Sequence, residues 1–261
     1  MTQVAVAAGL VVVAIVLSRV GSLALERDIA ISALRAAVQL TAVGAIVALV
    51  FEHGGLAAAF VAVMLCTATL TSGRRLRGVS HARLRAGAAI ALGAATGIVP
   101  LFATGAFALT AREIIPVAGI LIGGAMAATS VTGRRLVEQV TDDIAAIETR
   151  LALGVPVRTA LAGAVRRSAT TGLIPLIDQT KNVGLVTLPG TFVGLVLGGA
   201  SAAEAARVQL TVLLALLAVE VVAALTVARL VVAAVTAPGE RITRPGSSRT
   251  AGSRPTWRRR P

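Results

Sequence analysis

From Ala86 to Thr110 the chain runs twenty-five residues without one Asp, Glu, Lys or Arg. A helix needs about 20 consecutive apolar residues to cross a bilayer core roughly 30 Å thick, and no other feature limits the fold as strongly as a run of this length. Of the 261 residues, 56% are hydrophobic and only 14% charged, with a mean hydropathy of +0.86. A soluble domain carries about 25% charged residues, so the chain is an integral membrane protein. Barrel strands alternate apolar and polar side chains and carry aromatic girdles. Here the runs are continuous in Ala, Val, Leu, Ile and Gly, and aromatics make up 2%. The expected fold is all-α, a polytopic bundle of membrane helices.

Seven spans are expected: Val4 to Val20, Ile29 to Phe51, Leu56 to Thr71, Ala86 to Thr110, Ile114 to Thr132, Val183 to Ala200 and Val208 to Thr236. Arginines cluster after the first, third and fifth (Arg19 and Arg27; Arg74, Arg75, Arg77, Arg83 and Arg85; Arg134, Arg135, Arg150, Arg158, Arg166 and Arg167), while the intervening loops carry almost none. The positive-inside rule then predicts the N-terminus outside and the C-terminus in the cytoplasm. The first apolar run lacks a basic n-region and a small-residue cleavage site, so it is expected to be retained. A lone cysteine, Cys66, excludes an intrachain disulfide and reads as a small packing residue.

The transmembrane domain is expected over 1–236, with a long cytoplasmic segment at 133–182 that exceeds ordinary connections. Gly73-Arg-Arg-Leu76 recurs as Gly133-Arg-Arg-Leu136; the simple reading is a glycine C-cap with arginines ending a helix at the cytoplasmic face, the other a duplicated half. Leu136, Val140, Ile144, Ile147 and Leu151 repeat at helical spacing beside Glu138, Asp142, Asp143 and Glu148, which predicts an amphipathic helix. Gly154-Val-Pro156 breaks it, and a second helix resumes at Val157. Residues 237–261 hold seven arginines and four prolines and are expected to be disordered, with loose attraction to anionic lipid and no specific nucleic-acid partner.

A polar island, Asp178-Gln-Thr-Lys-Asn182, interrupts the apolar sequence, and Lys181 is the only lysine in the chain. Asp178 and Lys181 share a helix face at i,i+3 and are expected to pair. Pro175 on one side and Pro189-Gly190 on the other are helix breakers, as in the discontinuous helices of transporters. An ordinary helix end at the interface, a deep substrate site, and a joint where the cytoplasmic loop enters the sixth span all remain open, the joint being preferred over the deep site. Arg35 and Gln39, one turn apart on the second span, read either as pathway-lining groups or as an arginine snorkelling to the interface. Glu220 lies in mid-span, where an acid costs about 2.5 kcal/mol or more, and reads as a cation or proton site or as a protonated, hydrogen-bonded group.

Several motifs carry a wider resemblance. Glu148 followed six residues later by Gly154, with Leu153 before it, resembles the cytoplasmic coupling loop of ABC-transporter permeases, although the usual Ile-x-Leu-Pro continuation is absent. Glu26-Arg-Asp28, Arg35-Ala-x-x-Gln-Leu40, Ile115-Pro-x-Ala-Gly119, Ile174-Pro-x-x-Asp178 and Lys181-x-Val-Gly-Leu-Val-x-Leu-Pro-Gly190 resemble the FetB family of bacterial ABC permeases linked to iron export, similar to the membrane subunit of the plant aluminium-tolerance transporter. Members of that family often carry Asn where this chain has Gly124. The resemblance implies a membrane subunit, working as two copies with a separate ATPase that holds ATP and Mg, and a coupling surface at Glu148, Leu153, Gly154 and Arg158. From their own positions and chemistry, Pro175, Asp178, Lys181, Pro189 and Gly190 are read as hinge or gating residues and Arg35, Gln39 and Glu220 as pathway-lining candidates, Glu220 lying outside the motifs that carry the resemblance.

The residues support the division of labour independently. A phosphate-binding Walker loop needs a lysine after its glycines, and Lys181 stands in no such context, so this chain is not expected to hydrolyse ATP. Neither a metal-ligand cluster nor a Ser/His/Asp constellation is legible, and no cofactor of its own is expected. A permease subunit moving a metal ion or other small solute, a secondary transporter coupled to protons or cations through Glu220 or Asp178, and a membrane scaffold recruiting a partner through its tail remain as readings.

Overall fold

The computed structural model describes residues 2–52 and 55–243, which fall into two compact units divided between Ala57 and Ala58. The first is a helical hairpin of α1 (Thr2–Val20) and α2 (Glu26–Glu52). Its turn is held by the buried Ser18, whose Oγ accepts from Leu25 N–H at 3.3 Å and lies 3.4 Å from Glu26 Oε1.

The second unit holds α3 (Leu56–Arg75), α4 (Ala82–Ala103), α5 (Ala111–Asp142), α6 (Ile144–Ala152), α7 (Val157–Asn182), α8 (Gly190–Leu197) and α9 (Ala202–Val235), closed by the two-residue strands β1 (Thr236–Ala237) and β2 (Arg241–Ile242). Small residues set its core. A Cβ on Gly93 would stand 2.8 Å from that of Ala223, and one on Gly97 2.7 Å from Val219, so α4 and α9 meet antiparallel at a separation only glycine permits. Small interfacial residues substitute for a hydrophobic driving force that lipid cannot supply between apolar helices. Gly124 meets Leu216 and Glu220, and Gly133 meets Val227, so α5 and α9 run parallel. Two apolar clusters follow along the bundle, one around Ile90, Leu121 and Val219, the other around Leu76, Leu136, Leu161 and Val231.

Among the described residues six helices, α1 to α5 and α9, are long and apolar enough to cross a membrane, which matches six of the seven expected spans. The span expected over Val183 to Ala200 is corrected. Its residues form a non-helical stretch at 183–189 and then only eight helical residues, because Gly184 turns the chain at φ +83 and Pro189 cannot continue a helix from Leu188.

The simple reading of the repeated Gly-Arg-Arg-Leu is also corrected. Both glycines are helical, and α5 continues through Gly133 for nine residues to Asp142. Gly133 is needed because Leu76, from the first copy, fills the space its side chain would take. That contact brings the arginines at 74–75 and 134–135 to one end of the bundle, and the end of α9 lies there too, since Val227 touches Gly133.

Candidate functional site

At this arginine-rich end the chain builds an elbow. The expected amphipathic helix divides at Asp143, which leaves α6 as a separate nine-residue helix. Ile147 anchors it, 3% exposed, in the cluster with Leu136, Val140 and Leu161. Gly154 ends it in the left-handed region, φ +82, while Val155 N–H donates to Arg150 O at 3.0 Å and Gly154 N–H to Leu151 O at 2.9 Å. This is a glycine C-cap satisfying the last carbonyls of the helix. Pro156 then starts α7 with φ −60, the value its ring imposes. Arg150 Nη1 donates to Ala160 O at 3.3 Å, and Arg167 Nη2 pairs with Asp143 Oδ2 at 3.1 Å. α6 is therefore tied to α7 at both of its ends. Outward it presents Glu148, Arg158 and Leu153, the last 78% exposed despite its apolar side chain.

One support was not legible beforehand. The N–H of Val157, in the first turn of α7, donates to Glu240 Oε2 at 2.7 Å. A carboxylate from the turn after α9 thus caps a helix start 83 positions earlier in the chain.

The larger surprise is α7. The segment 133–182 is not a loop throughout: α5 continues to Asp142, and α7 then packs back along α5. A Cβ on Gly172 would collide with Thr132, and Arg167 reaches Asp143, so the two helices run antiparallel. Val157, Leu161, Ala164, Ser168, Gly172 and Leu176 form the buried face. These recur every three or four positions, and that small-residue stripe was the available signal. Helical rise carries the chain about 9 Å from Gly172 to Asp178, which puts Asp178 abreast of Met126, within the apolar stretch of α5. The island forms the last turn of α7, which ends at Asn182, and does not enter a span at Val183, since no spanning helix forms there.

Within the island, Lys181 Nζ lies 3.8 Å from Asp178 Oδ1, and Asn182 Nδ2 donates to Asp178 O at 2.9 Å. Both charged side chains are largely exposed, 69% for Lys181 and 59% for Asp178. Pro175 sits inside α7 and cannot donate to the Thr171 carbonyl. Beyond Asn182, the stretch ending at Pro189 faces α9 across a cavity of about 370 Å³ lined by Val183, Gly184, Leu188, Phe192, Gln209 and Leu213 among others. Gly190 is the exposed first residue of α8.

Glu220 is placed elsewhere. It is 7% exposed, with Oε1 2.8 Å from where a Cβ on Gly124 would stand. Arg35 and Gln39 lie exposed on α2 in the first unit. Among the described residues, no three His, Cys, Asp or Glu side chains gather as a metal site. Of the tail expected to be structureless over 237–261, the part up to Thr243 carries the paired strands β1 and β2, and 244–261 lie outside the described residues.

Over residues 1–235 the sequence matches the family described as Uncharacterised protein family (UPF0014). It is 38% identical to UPF0014 membrane protein STAR2 of Oryza sativa subsp. japonica, over 79% of this chain and 73% of that one. Protein ALUMINUM SENSITIVE 3 of Arabidopsis thaliana is 34% identical, over 82% and 79% of the two chains. The probable iron export permease protein FetB of Escherichia coli (strain K12) is 33% identical, over 82% and 84%. No solved structure matches the chain. A bundle of long apolar helices, matched along nearly its whole helical length, makes this chain a multi-pass membrane protein that belongs to the UPF0014 family.

Proposed function

We propose that this chain is the membrane permease subunit of an ABC transporter, working as two copies with a separate ATPase and exporting a metal ion, iron being the first candidate. The observation that carries this reading is the elbow. A short helix braced against α5 and α7, with Glu148, Leu153 and Arg158 turned outward, can take up a rigid-body movement from a docked partner and pass it to the bundle. The exposed Leu153 supplies an apolar contact that water alone would disfavour. Arginines at the same end orient the elbow toward the cytoplasm by the positive-inside rule, where ATP and Mg would be held by the ATPase and not by this chain. The name of the bacterial relative, a probable iron export permease, supports the cargo class.

The test is ATP-driven flux of iron and other metal ions in vesicles carrying this chain with a candidate ATPase. ATP-dependent flux, together with ATP hydrolysis that rises when the chain is present, is the expected result. Flux driven by a pH gradient without ATP would overturn it in favour of proton or cation coupling through Glu220 or Asp178.

A further inference from the structure

We propose that the turn between α3 and α4, with Arg74, Arg75, Arg77, Arg83 and Arg85, is a binding surface for the phosphate of anionic lipid headgroups. The turn is a fixed display of charge. Leu76 and Val79 are buried in the cluster with Leu136 and Val231, while Arg74, Arg75, Arg77 and Arg83 are exposed. Gly73 lets the end of α3 meet the start of α4, since a Cβ there would stand 2.8 Å from Arg83 Cα. Arg85 Nη1 donates to Ser80 Oγ at 2.7 Å, which ties its side chain to the turn.

Among the described residues no carboxylate pairs with any of these five arginines. None of the chain's 12 acids falls between Glu52 and Glu113, and Glu138 is already held by Arg134 and Arg135 at 3.7 and 3.1 Å. Neighbouring guanidiniums repel one another, and phosphate, which accepts paired N–H donors from a guanidinium, is the anion that suits arginine best. Arg83 and Arg85 also stand in the first turn of α4, where the helix dipole disfavours cations and His81 supplies no side-chain cap. An anion at the turn relieves both.

Depth selects lipid over a docked protein. Leu76 fills the space beside Gly133, whereas α5 runs nine residues farther, about 14 Å, before the elbow begins. The turn is thus recessed behind the surface offered to an ATPase. It lies between the uncharged runs 53–73 and 86–111, at the edge of the apolar slab. Leu84, 73% exposed between Arg83 and Arg85, adds an apolar side chain at the level where headgroups give way to acyl chains.

The test is lipid binding to the purified full chain, which needs no ATP turnover and so stands apart from the permease reading. Native mass spectrometry from micelles, with phosphatidylglycerol or phosphatidylcholine titrated in, compares the unaltered chain with Arg77→Gln/Arg83→Gln and with Arg158→Gln/Arg166→Gln. The second pair removes the same charge from two exposed arginines of α7 that lie nearer the elbow. Phosphatidylglycerol should bind in preference to phosphatidylcholine. The pair at 77 and 83 should weaken it at least about tenfold, since each basic side chain at an anionic headgroup layer contributes roughly fivefold, and the pair at 158 and 166 should change it little. Arg77→Lys/Arg83→Lys, which keeps the charge and the fold, should lose several-fold because lysine offers no paired donors. Equal weakening by the two glutamine pairs would reduce the effect to net charge and overturn the site. Phosphatidylcholine binding as tightly as phosphatidylglycerol would overturn the anionic headgroup as ligand, and displacement of the lipid by an equal concentration of inorganic phosphate would overturn lipid as its source. Full affinity in the lysine pair would overturn paired arginine–phosphate contact.

Discussion

Glu240 Oε2 accepts the Val157 N–H at 2.7 Å, so the turn that follows α9 holds the first turn of α7. The start of a helix leaves several N–H groups without intrahelical partners, and here one is satisfied by a carboxylate from the far end of the chain. Through this bond the elbow is fastened to α9 as well as to α5. Glu240→Ala should therefore release the elbow, at a local cost of about 1 kcal/mol, while Glu240→Gln, which keeps an acceptor oxygen, should lose less. Amide hydrogen exchange at 157–160 will read this: faster exchange in the alanine variant is expected, and unchanged exchange would mean that the contact does not persist in the membrane.

Gly154 tests the elbow itself. Its φ of +82 lies where a side chain is disfavoured, so Gly154→Ala should cost about 1 kcal/mol or more at this turn. Because Gly154 is remote from the apolar core, the protein should still insert and purify. Stimulation of a partner ATPase is the sensitive measurement, and it should fall.

Gly172 is a packing position of the other kind. A Cβ there meets Thr132 Oγ1, so Gly172→Val should push α7 off α5 and destabilise the bundle by about 1–3 kcal/mol. Gly9→Val, where nothing lies within 4 Å, is the matched control. Thermal unfolding in detergent should separate the two, with Gly172→Val melting at clearly lower temperature.

Asp178→Asn and Lys181→Ala should behave differently from both. An exposed pair at 3.8 Å adds little to stability, about 0–1 kcal/mol, so assembly and melting should be nearly unchanged. ATP-driven export should nevertheless fall relative to ATP hydrolysis. Normal coupled transport in both variants would remove the island from the mechanism.

Glu220 and Gly124 form one unit of packing. Gly124→Asn would drive its Cβ against Leu216 and Glu220 and should destabilise alone, whereas adding Glu220→Ala should recover part of the loss. A double-mutant cycle in thermal stability should show a coupling of about 0.5–3 kcal/mol. Strict additivity would indicate that the two sites do not share their space.

Membrane helices were legible because each satisfies its own backbone and so needs only a long apolar run; α1 to α5 and α9 show this directly. The elbow was legible for a similarly local reason, since Gly154 and Pro156 restrict their own dihedrals whatever surrounds them. By contrast, α7 was misread over its second half, as its charges and hydroxyls resemble a solvated segment. Its place depends on contacts between positions distant in sequence: Gly172 with Thr132, and Arg167 with Asp143. Val183 to Ala200 was misread in the opposite sense, its apolar composition suggesting a span although Gly184 and Pro189 divide it.

Composition and local dihedral preference alone settled that this is a helical membrane protein with a sharp turn after Leu153. Tertiary structure decided which polar helix lies alongside the apolar ones and which carboxylate caps it. The physical reason is that helix placement and trans capping depend on which small residues let two helices approach, and that pairing is written across the chain and not within any one segment of it.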